Sequence, residues 1–307
     1  MPYYLGIDGG GTKTTCVVAD ENRVLASAMA GPSNIVRVGE ARARESLMQA
    51  VQQVCSASGV APEQIARTCV GGAGAARPEV AATVRRILSE ALATPIDVMG
   101  DLEIAMEAAF GDQPGVVVNA GTGSFAYGRN QAGQTLRAGG WGFEIGDEGS
   151  AHWIGRSAVS ALLRASDRDG DKAASSSLAI GLFKAWAVAS LLDLARSSNS
   201  VPPPDFASLF RAVVASDDEL AREVLTKAGK ELGEVAAVVI VRLFAEDGAA
   251  TVPVAMIGGV FRHSALVREA FYNELQTVAP RARVMPTMID PVEGALRMAR
   301  KASVKRI

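Results

Sequence analysis

Short runs of apolar and β-branched residues alternate with longer amphipathic segments along the chain, and this alternation predicts an α/β protein. Three strand-like runs come first, at residues 3–8, 14–19 and 24–29. Their close spacing predicts a three-strand meander. Apolar residues then recur at helical spacing over residues 40–57, which predicts a helix that follows the meander.

The rest of the first half continues in strand and helix units. Residues 67–74 are expected to form a buried strand ending in a flexible turn, and residues 77–92 a helix. A short strand is expected at 96–99, and Gly100 and Asp101 follow directly at its end. A strongly helical stretch then begins near Glu103. The Asp101 carboxylate is therefore expected at a strand-to-helix junction, close to a helix N-terminus.

The second half repeats this plan. Its predicted strands are residues 116–120, 124–128, 135–138 and 252–257, and its predicted helices are residues 150–165, 177–195, 219–245 and 263–277, with a proline-rich loop at 201–204 and a closing helix at 291–302. The repetition predicts a two-lobed, duplicated α/β fold of the actin-like ATPase (ribonuclease H-like) type, with a central nucleotide cleft. The predicted lobes are residues 1–113 and 114–290, with a C-terminal helix at 291–307 packing back on the N-terminal lobe.

Two glycine-rich turns each follow a strand-like run. The first glycine turn, residues 9–13, reads Gly-Gly-Gly-Thr-Lys, and the second glycine turn, residues 121–124, reads Gly-Thr-Gly-Ser. Glycine lets backbone N–H groups approach phosphate oxygens, and threonine adds a hydroxyl donor, so the pair suggests a nucleotide held between two halves. Because β-branched residues follow the first turn, we expect a hairpin there. Neither the P-loop nor the dinucleotide-binding glycine spacing is present.

A third segment, the tryptophan loop (residues 139–150), is dense in glycine yet carries Trp141, Asp147 and Glu148. An aromatic face beside acidic hydrogen-bond acceptors suits a sugar ring, which has apolar C–H faces and a rim of hydroxyl groups. The structural alternative is that Asp147 caps the helix that begins near Ser150 and that Trp141 belongs to the core.

Composition narrows the class of partner. The chain of 307 residues has a net charge of −2 with scattered basic residues, which argues against nucleic acid as a partner. No signal peptide or transmembrane span is expected, because the most apolar run, residues 235–241, is short. The three cysteines stand singly in apolar surroundings, so we expect buried, reduced thiols and a cytoplasmic protein.

The ordered motifs resemble the N-acetylglucosamine kinase group of the actin, sugar-kinase and heat-shock ATPase superfamily, which is related to glucosamine kinases and BadF/BadG-type ATPases. The matching pieces are residues 8–14, Asn34 after Gly-Pro-Ser, Asp101, residues 121–124, the run Gly-Gly-Trp-Gly with Gly-Asp-Glu-Gly-Ser between residues 139 and 150, and residues 258–260. The set spans nearly the whole chain.

This resemblance implies ATP and Mg²⁺ as cofactors and gives roles to individual positions. Asp8 would lie near the magnesium ion. Phosphate contacts would come from Gly10, Gly11, Thr12, Lys13, Gly121, Thr122 and Gly123, and adenosine would pass Gly258 and Gly259. The residues around the sugar would be Asn34, Asp101, Gly140, Trp141, Gly142 and Asp147. Asp101 would accept the proton of the attacking hydroxyl.

The chemistry of phosphoryl transfer agrees with this assignment, because it requires positioning and charge neutralisation more than reactive side chains. With only His152 and His263 in the chain, a histidine-based hydrolase has little support. Asp101 is the preferred base, since a strand end at a lobe boundary faces the cleft; the alternative is that it only caps the following helix.

We therefore expect an ATP-dependent kinase for a small-molecule sugar that phosphorylates the 6-hydroxyl of N-acetylglucosamine. The sequence does not decide between this substrate and four other sugars, which are glucosamine, N-acetylmannosamine, N-acetylmuramate and glucose. A partner-activating ATPase of the BadF type and a nucleotide-responsive sugar sensor are the alternatives from other classes. Homodimerisation is frequent among relatives and stays open here.

Overall fold

The computed structural model describes residues 1–72, 74–246 and 251–304. Ala73, at the end of the predicted 67–74 segment, and the last three residues of the chain lie outside the described residues. The chain divides into two compact units, which are Met1–Gln113 with Ile289–Ile307 (unit 1) and Pro114–Met288 (unit 2).

Unit 1 begins with the predicted meander. Its elements up to residue 113 are β1 (Tyr3–Gly9), β2 (Thr14–Ala19), β3 (Val24–Ala30), α1 (Ile35–Ser58), a 3-10 turn (Pro62–Gln64), β4 (Ile65–Gly72), α2 (Pro78–Leu88), β5 (Ile96–Gly100) and α3 (Asp101–Phe110). The sheet order is β3-β2-β1-β4-β5, in which the meander is antiparallel and β1, β4 and β5 are parallel.

The three parallel strands end at one edge of this sheet. Gly9 of β1 pairs with Gly72 of β4, which pairs in turn with Gly100 of β5. Side chains next to this row lie at the carboxyl edge, where open α/β sheets bind their ligands. Asp8 and Asp101 are both next to this row.

Unit 2 holds the second sheet and most of the helices. Its elements are β6 (Gly115–Ala120), β7 (Ser124–Arg129), β8 (Thr135–Gly139), α4 (Ala151–Asp169), α5 (Ser177–Trp186), α6 (Leu191–Ser198), α7 (Phe210–Ala215), α8 (Glu219–Leu243), β9 (Val252–Ile257), α9 (Gly259–His263), α10 (Ala265–Val278) and β10 (Ala282–Val284), with 3-10 turns at Gly170–Ser175 and Phe206–Leu209. The last helix, α11 (Pro291–Val304), belongs to unit 1.

The two sheets have the same topology. Unit 2 orders its strands β8-β7-β6-β9-β10, again an antiparallel meander followed by two strands parallel to its first member. The prediction of a duplicated α/β fold of the actin-like type is therefore confirmed.

One helix prediction is wrong in detail, and another omits a short helical segment that precedes the predicted helix. Residues 177–195 form two helices, because Ala187 ends α5 in the left-handed region and Ser190 caps α6 by accepting from the backbone N–H of Asp193. The helix predicted from residue 40 begins at Ile35 and is interrupted at Gly39, whose φ of 78° is non-helical. These differences arise from caps at Asn34 and Ser190 and from the positive φ angles of Gly39 and Ala187, which apolar spacing does not reveal.

Each unit has its own hydrophobic core. In unit 1 one core cluster joins the sheet to α1 and α2, and a second joins it to α3 and α11. The three cysteines are buried and free, as predicted. No single helix within the described ranges is both long and apolar enough to cross a bilayer, although the bent pair α5 and α6 meets that test by length and composition alone.

Candidate active site

The first glycine turn is a β-hairpin, as predicted. The backbone N–H of Gly10 donates to the carbonyl oxygen of Lys13 at 2.9 Å, which closes the turn between β1 and β2. Thr12 and Lys13 are exposed at its tip, where Lys13 Nζ lies 3.8 Å from the sulfur of Met29. The short turn thus presents backbone groups and one ammonium group at the carboxyl edge of the sheet.

Asn34 lies beside this turn and caps α1. Its Oδ1 accepts from the backbone N–H groups of Val36 at 3.1 Å and Arg37 at 3.3 Å. Its own N–H donates to the carbonyl oxygen of Gly10 at 3.3 Å. The predicted sugar residue therefore also joins the start of α1 to the first glycine turn, a capping role that the sequence analysis missed.

The carboxylates of Asp101 and Asp290 lie close enough to Asp8, at the carboxyl edge of unit 1, to affect its pKa. Burial, together with the negative charges of Asp290 and Asp101, raises the pKa of Asp8 to about 7, against a smaller lowering by Lys13. Asp290 immediately precedes α11 and was not identified from the sequence. Among the described residues, no three acidic, histidine or cysteine side chains converge closely enough to hold a metal ion directly.

Asp101 is the first residue of α3 and is not its N-cap. The N-cap is Gly100, whose N–H donates to the side chain of Glu103, the residue that completes the capping interaction. Asp101 Oδ1 accepts from the N–H of Leu102 at 3.2 Å. Glu103 and not Asp101 therefore supplies the capping side chain of α3, while Asp101 contacts the N–H of the next residue.

Packing of α3 against α11 brings Asp101 and Asp290 together. Gly294 meets the carbonyl oxygen of Ile104, Arg297 donates to the carbonyl oxygens of Glu107 and Ala108 at 3.3 and 3.0 Å, and Lys301 lies 2.9 Å from the carboxylate of Glu107. From Gly294 to Arg297 in α11, the contacted position in α3 moves from Ile104 to Glu107 and Ala108, so the contacts progress toward the C-terminus of both helices. The helices therefore run parallel, and their N-termini, with the two aspartates, lie side by side.

In unit 2, the second glycine turn lies against the N-terminus of α4. Gly121 N–H donates to Gly123 O at 2.9 Å, which closes the turn between β6 and β7. The N–H groups of Ala151 and His152 donate to the carbonyl oxygens of Gly121 at 2.9 Å and Thr122 at 3.4 Å. The turn is thus fixed at both ends, while the side chain of Thr122 is half-buried.

Asp147 ties the tryptophan loop to this turn. Its carboxylate is buried and accepts from the N–H groups of Gly142 and Ser124. Burial raises the pKa of Asp147, and these two donors lower it in part. The alternative that Asp147 caps α4 is wrong, because the cap is Ser150, whose Oγ accepts from Trp153 N–H at 3.1 Å.

The outer part of the tryptophan loop is apolar and open. Trp141 is 77% exposed and Ile145 81% exposed, so the alternative that Trp141 belongs to the core is wrong. Phe143, also exposed, lies against the ring of His152 with centroids 4.9 Å apart. The side chain of Arg137 donates to the carbonyl oxygen of Gly140 and holds the base of the loop.

The predicted adenosine turn adjoins the second glycine turn. Gly258 has a φ of 101°, and a Cβ there would lie 2.3 Å from the carbonyl oxygen of Ala120. Gly259, the first residue of α9, has open space where its side chain would be. Only glycine fits at position 258, so the two strand ends of unit 2 can approach this closely.

The chain belongs to the BadF/BadG/BcrA/BcrD ATPase family, which it matches over residues 5–299. This agrees with the resemblance inferred from the motifs. The strand order of both sheets and the parallel α3–α11 pair are thus features of a member of this ATPase family.

Three relatives illustrate the similarity. The chain is 30% identical over 305 residues to an N-acetylmuramic acid/N-acetylglucosamine kinase of Clostridium acetobutylicum, covering 98% of this chain and 99% of the relative. It is 26% identical to an N-acetyl-D-glucosamine kinase of Dictyostelium discoideum, covering 96% and 97%. The solved structure of a candidate N-acetylglucosamine kinase from Chromobacterium violaceum superposes with a TM-score of 0.74 at 24% identity, covering 97% and 99%, which supports the fold.

Proposed function

We propose that the protein is an ATP-dependent amino-sugar kinase that phosphorylates the 6-hydroxyl of N-acetylglucosamine or a close N-acetylated relative such as N-acetylmuramate. The observation that carries the proposal is the placement of Asp101 at the carboxyl edge of unit 1, beside Asp8 and next to a glycine turn suited to phosphate. Family membership and the names of the curated relatives support the same chemistry.

In this proposal Asp101 accepts the proton of the sugar hydroxyl as that oxygen attacks the terminal phosphate. The backbone N–H groups of the two glycine turns bind phosphate oxygens, and Trp141 supplies the flat apolar face for the sugar ring. Asp147 holds the tryptophan loop in shape through Gly142 and Ser124, in addition to its predicted contact with the sugar.

The residues of unit 1 fit a magnesium ion bound largely through water. Mg²⁺ usually keeps several waters and takes one or two carboxylates, so a site with no three convergent protein ligands is compatible with it. Asp8, together with Asp290, would hold the ion, since a cation would offset both the burial of Asp8 and the nearby negative charges that raise its pKa. When bound, Mg²⁺ would neutralise charge on the phosphates.

Two further points support a kinase that acts in the cytoplasm. ATP and reduced thiols are both found there, and Cys16, Cys55 and Cys69 are buried within unit 1. The same burial argues against a partner-activating ATPase that would need exposed cysteines to hold a cluster. Burial raises the pKa of Cys69 to about 12, so this thiol is a poor ligand and nucleophile.

A coupled ADP-release assay with ATP and Mg²⁺ tests the proposal. The panel is N-acetylglucosamine, N-acetylmuramate, glucosamine, N-acetylmannosamine and glucose, with a sugar-free reaction as the blank. We expect ADP release that depends on an N-acetylated sugar and is absent with 6-deoxy-N-acetylglucosamine, which lacks the accepting hydroxyl. ATP hydrolysis that proceeds equally without any sugar would reject the kinase in favour of an ATPase that acts on a partner.

A further inference from the structure

Arg37 stands over the first glycine turn. The nearest atoms to the position that a Cβ on Gly11 would occupy are Nη1 of Arg37 at 3.4 Å and Cδ of Arg37 at 3.6 Å. The side chain is exposed as a whole, so it reaches the glycine from the solvent side. Apart from the chain neighbours Gly10 and Thr12, no other described residue comes within 4 Å of that position.

The backbone around Arg37 is held in place by the same turn. The N–H of Arg37 donates to the side chain and to the carbonyl oxygen of Asn34, and Ser33 and Asn34 donate in turn to the carbonyl oxygen of Gly10. Helical geometry is then interrupted at Gly39, two residues further along. Arg37 therefore lies in a short helical segment fixed to the glycine turn independently of the main part of α1.

A guanidinium group above a glycine turn has a specific chemical consequence. Backbone N–H groups of the turn can donate to phosphate oxygens, and the planar guanidinium can donate to the same phosphate in a paired geometry. Gly11 keeps the space between them free of a side chain. We propose that Arg37 is a phosphate-positioning residue, which supplies the cationic contact to the phosphate group bound at the first glycine turn.

This inference rests on the proposed function and adds a residue to it, since neither the motifs nor the strand ends identify Arg37. Arg37 is three residues from Asn34, so its guanidinium could instead bind the carboxylate of an acidic sugar such as N-acetylmuramate. Both ligands are oxyanions, and proximity to Gly11 favours the phosphate. The experiment separates the two.

Calorimetric titrations of adenosine, ADP, a non-hydrolysable ATP analogue and inorganic tripolyphosphate test the proposal in Mg²⁺ buffer. In Arg37→Gln we expect affinity for the ATP analogue and tripolyphosphate to fall about tenfold, as for loss of one charge-assisted hydrogen bond. Adenosine affinity should be unchanged. Arg37→Lys should give an intermediate loss, because an ammonium group keeps the charge without the paired geometry.

Arg23→Gln is the matched control. Arg23 lies in the β2–β3 turn, at the opposite end of β2 from the first glycine turn, and its side chain is 79% exposed. The Arg23→Gln substitution removes the same charge from the same unit and should leave all four affinities at the wild-type values. If Arg23→Gln lowers the affinity for the ATP analogue and tripolyphosphate as much as Arg37→Gln does, the effect comes from the overall charge of the protein and not from a direct contact. That result would overturn the proposal.

The remaining outcomes are also decisive. Unchanged affinity for the ATP analogue in Arg37→Gln, or an equal loss of adenosine affinity, would overturn the role of Arg37 while leaving the kinase intact. A raised KM for N-acetylmuramate, with normal nucleotide affinities and a normal KM for N-acetylglucosamine, would assign the guanidinium to the sugar carboxylate and also overturn it. Failure of the wild-type protein to bind any of the four ligands would reject the proposed function itself.

Discussion

Gly294 of α11 lies directly against the carbonyl oxygen of Ile104 in α3, and a Cβ on Gly294 would stand 1.8 Å from that oxygen. No side chain can be accommodated at such a distance unless the two helices separate. Because the N-termini of these helices carry Asp290 and Asp101, this contact fixes the spacing of the two carboxylates near Asp8.

Gly294→Ala should therefore weaken both the fold and the candidate site. The clash is with backbone, which cannot rotate away, so we expect the free energy of unfolding to fall by about 3 kcal/mol. Displacement of the aspartates should also lower turnover. Chemical denaturation measures the first effect and steady-state kinetics the second.

Gly181→Ala is the control for that substitution. Gly181 is also in a helix, but its nearest would-be neighbour is Ala212 Cβ at 3.4 Å, an ordinary contact. Alanine there should be neutral or stabilising by up to about 1 kcal/mol. Equal stability of the Gly181 and Gly294 variants would contradict the close packing of α3 and α11.

The ion pair between Lys301 and Glu107 gives a prediction with a pH signature. The hydrogen bond from Lys301 to Glu107 raises the pKa of the lysine above its ordinary value. A raised pKa in the folded state means that the stabilisation is fully present below the unfolded pKa of about 10.4 and is lost as the pH rises through the folded pKa. The Lys301 side chain is half-exposed although Glu107 is buried, so at pH 7 Lys301→Met should cost about 1 kcal/mol.

The stability difference between wild type and Lys301→Met should thus be constant from pH 7 to pH 9 and shrink only above about pH 10.5. Denaturation curves at several pH values measure it. Lys184→Met, on the exposed face of α5, controls for loss of a lysine and should show no difference at any pH. A difference that shrinks between pH 7 and pH 9 would show that this ion pair is not its source.

Gly123 and Asp147 should be energetically coupled. A Cβ on Gly123 would lie 2.7 Å from Oδ2 of the buried Asp147 carboxylate. Gly123→Ala should cost about 2 kcal/mol of unfolding free energy, and most of that cost should disappear in an Asp147→Gly background. Glycine is the suitable partner substitution because position 147 has a φ of 60°. Strictly additive costs in the double-mutant cycle would mean that the tryptophan loop does not lie on the second glycine turn.

Trp141 should matter for sugar binding and not for folding. Because 77% of the residue is exposed, Trp141→Ala should change the free energy of unfolding by no more than about 0.5 kcal/mol. Loss of its apolar contact should raise the sugar KM about tenfold. Sugar titration monitored by tryptophan emission should give a change in the wild type that Trp141→Ala lacks.

Trp186→Phe is the control for the fluorescence experiment. Trp186 packs against Phe206 and donates to Ser208 at 3.0 Å, within the helical part of unit 2. This variant should keep the sugar-dependent change in emission. If that change disappears with Trp186 and persists without Trp141, the sugar does not bind at the tryptophan loop.

The sequence was most informative where local patterns determine structure. β-branched runs and glycine turns located both meanders, and the strand end at Gly100 placed Asp101 correctly at the start of a helix. The single helix predicted over 177–195 was wrong because Ala187 in the left-handed region and the Ser190 cap have no apolar signature. Asp290 was missed for a different reason. It reaches Asp8 only because α11 packs along α3, through contacts between residues nearly two hundred positions apart.

For Asn34 and Asp147, the sequence motifs indicated contacts with the sugar but not the backbone hydrogen bonds that these side chains also make. Both were identified as sugar contacts from motifs, and both prove to hold backbone N–H groups within their own units. A Ser or Asn before a helix signals a cap in sequence, so the Asn34 cap could have been found from the Gly-Pro-Ser-Asn run. The two backbone donors to Asp147 come from residues 142 and 124, and only the folded loop brings them to one carboxylate.

The account depends most on Asp101, and Asp101→Asn tests it directly. Titrations of nucleotide and sugar into the variant should give wild-type affinities, because asparagine has the same shape. The rate of sugar phosphorylation should fall by about 10²–10⁴-fold, as expected when a positioned base is removed. Asp112→Asn, an exposed position just beyond the end of the same helix, should keep the wild-type rate. Near-normal phosphorylation by Asp101→Asn, with both ligands bound, would contradict the assignment of Asp101 as the base.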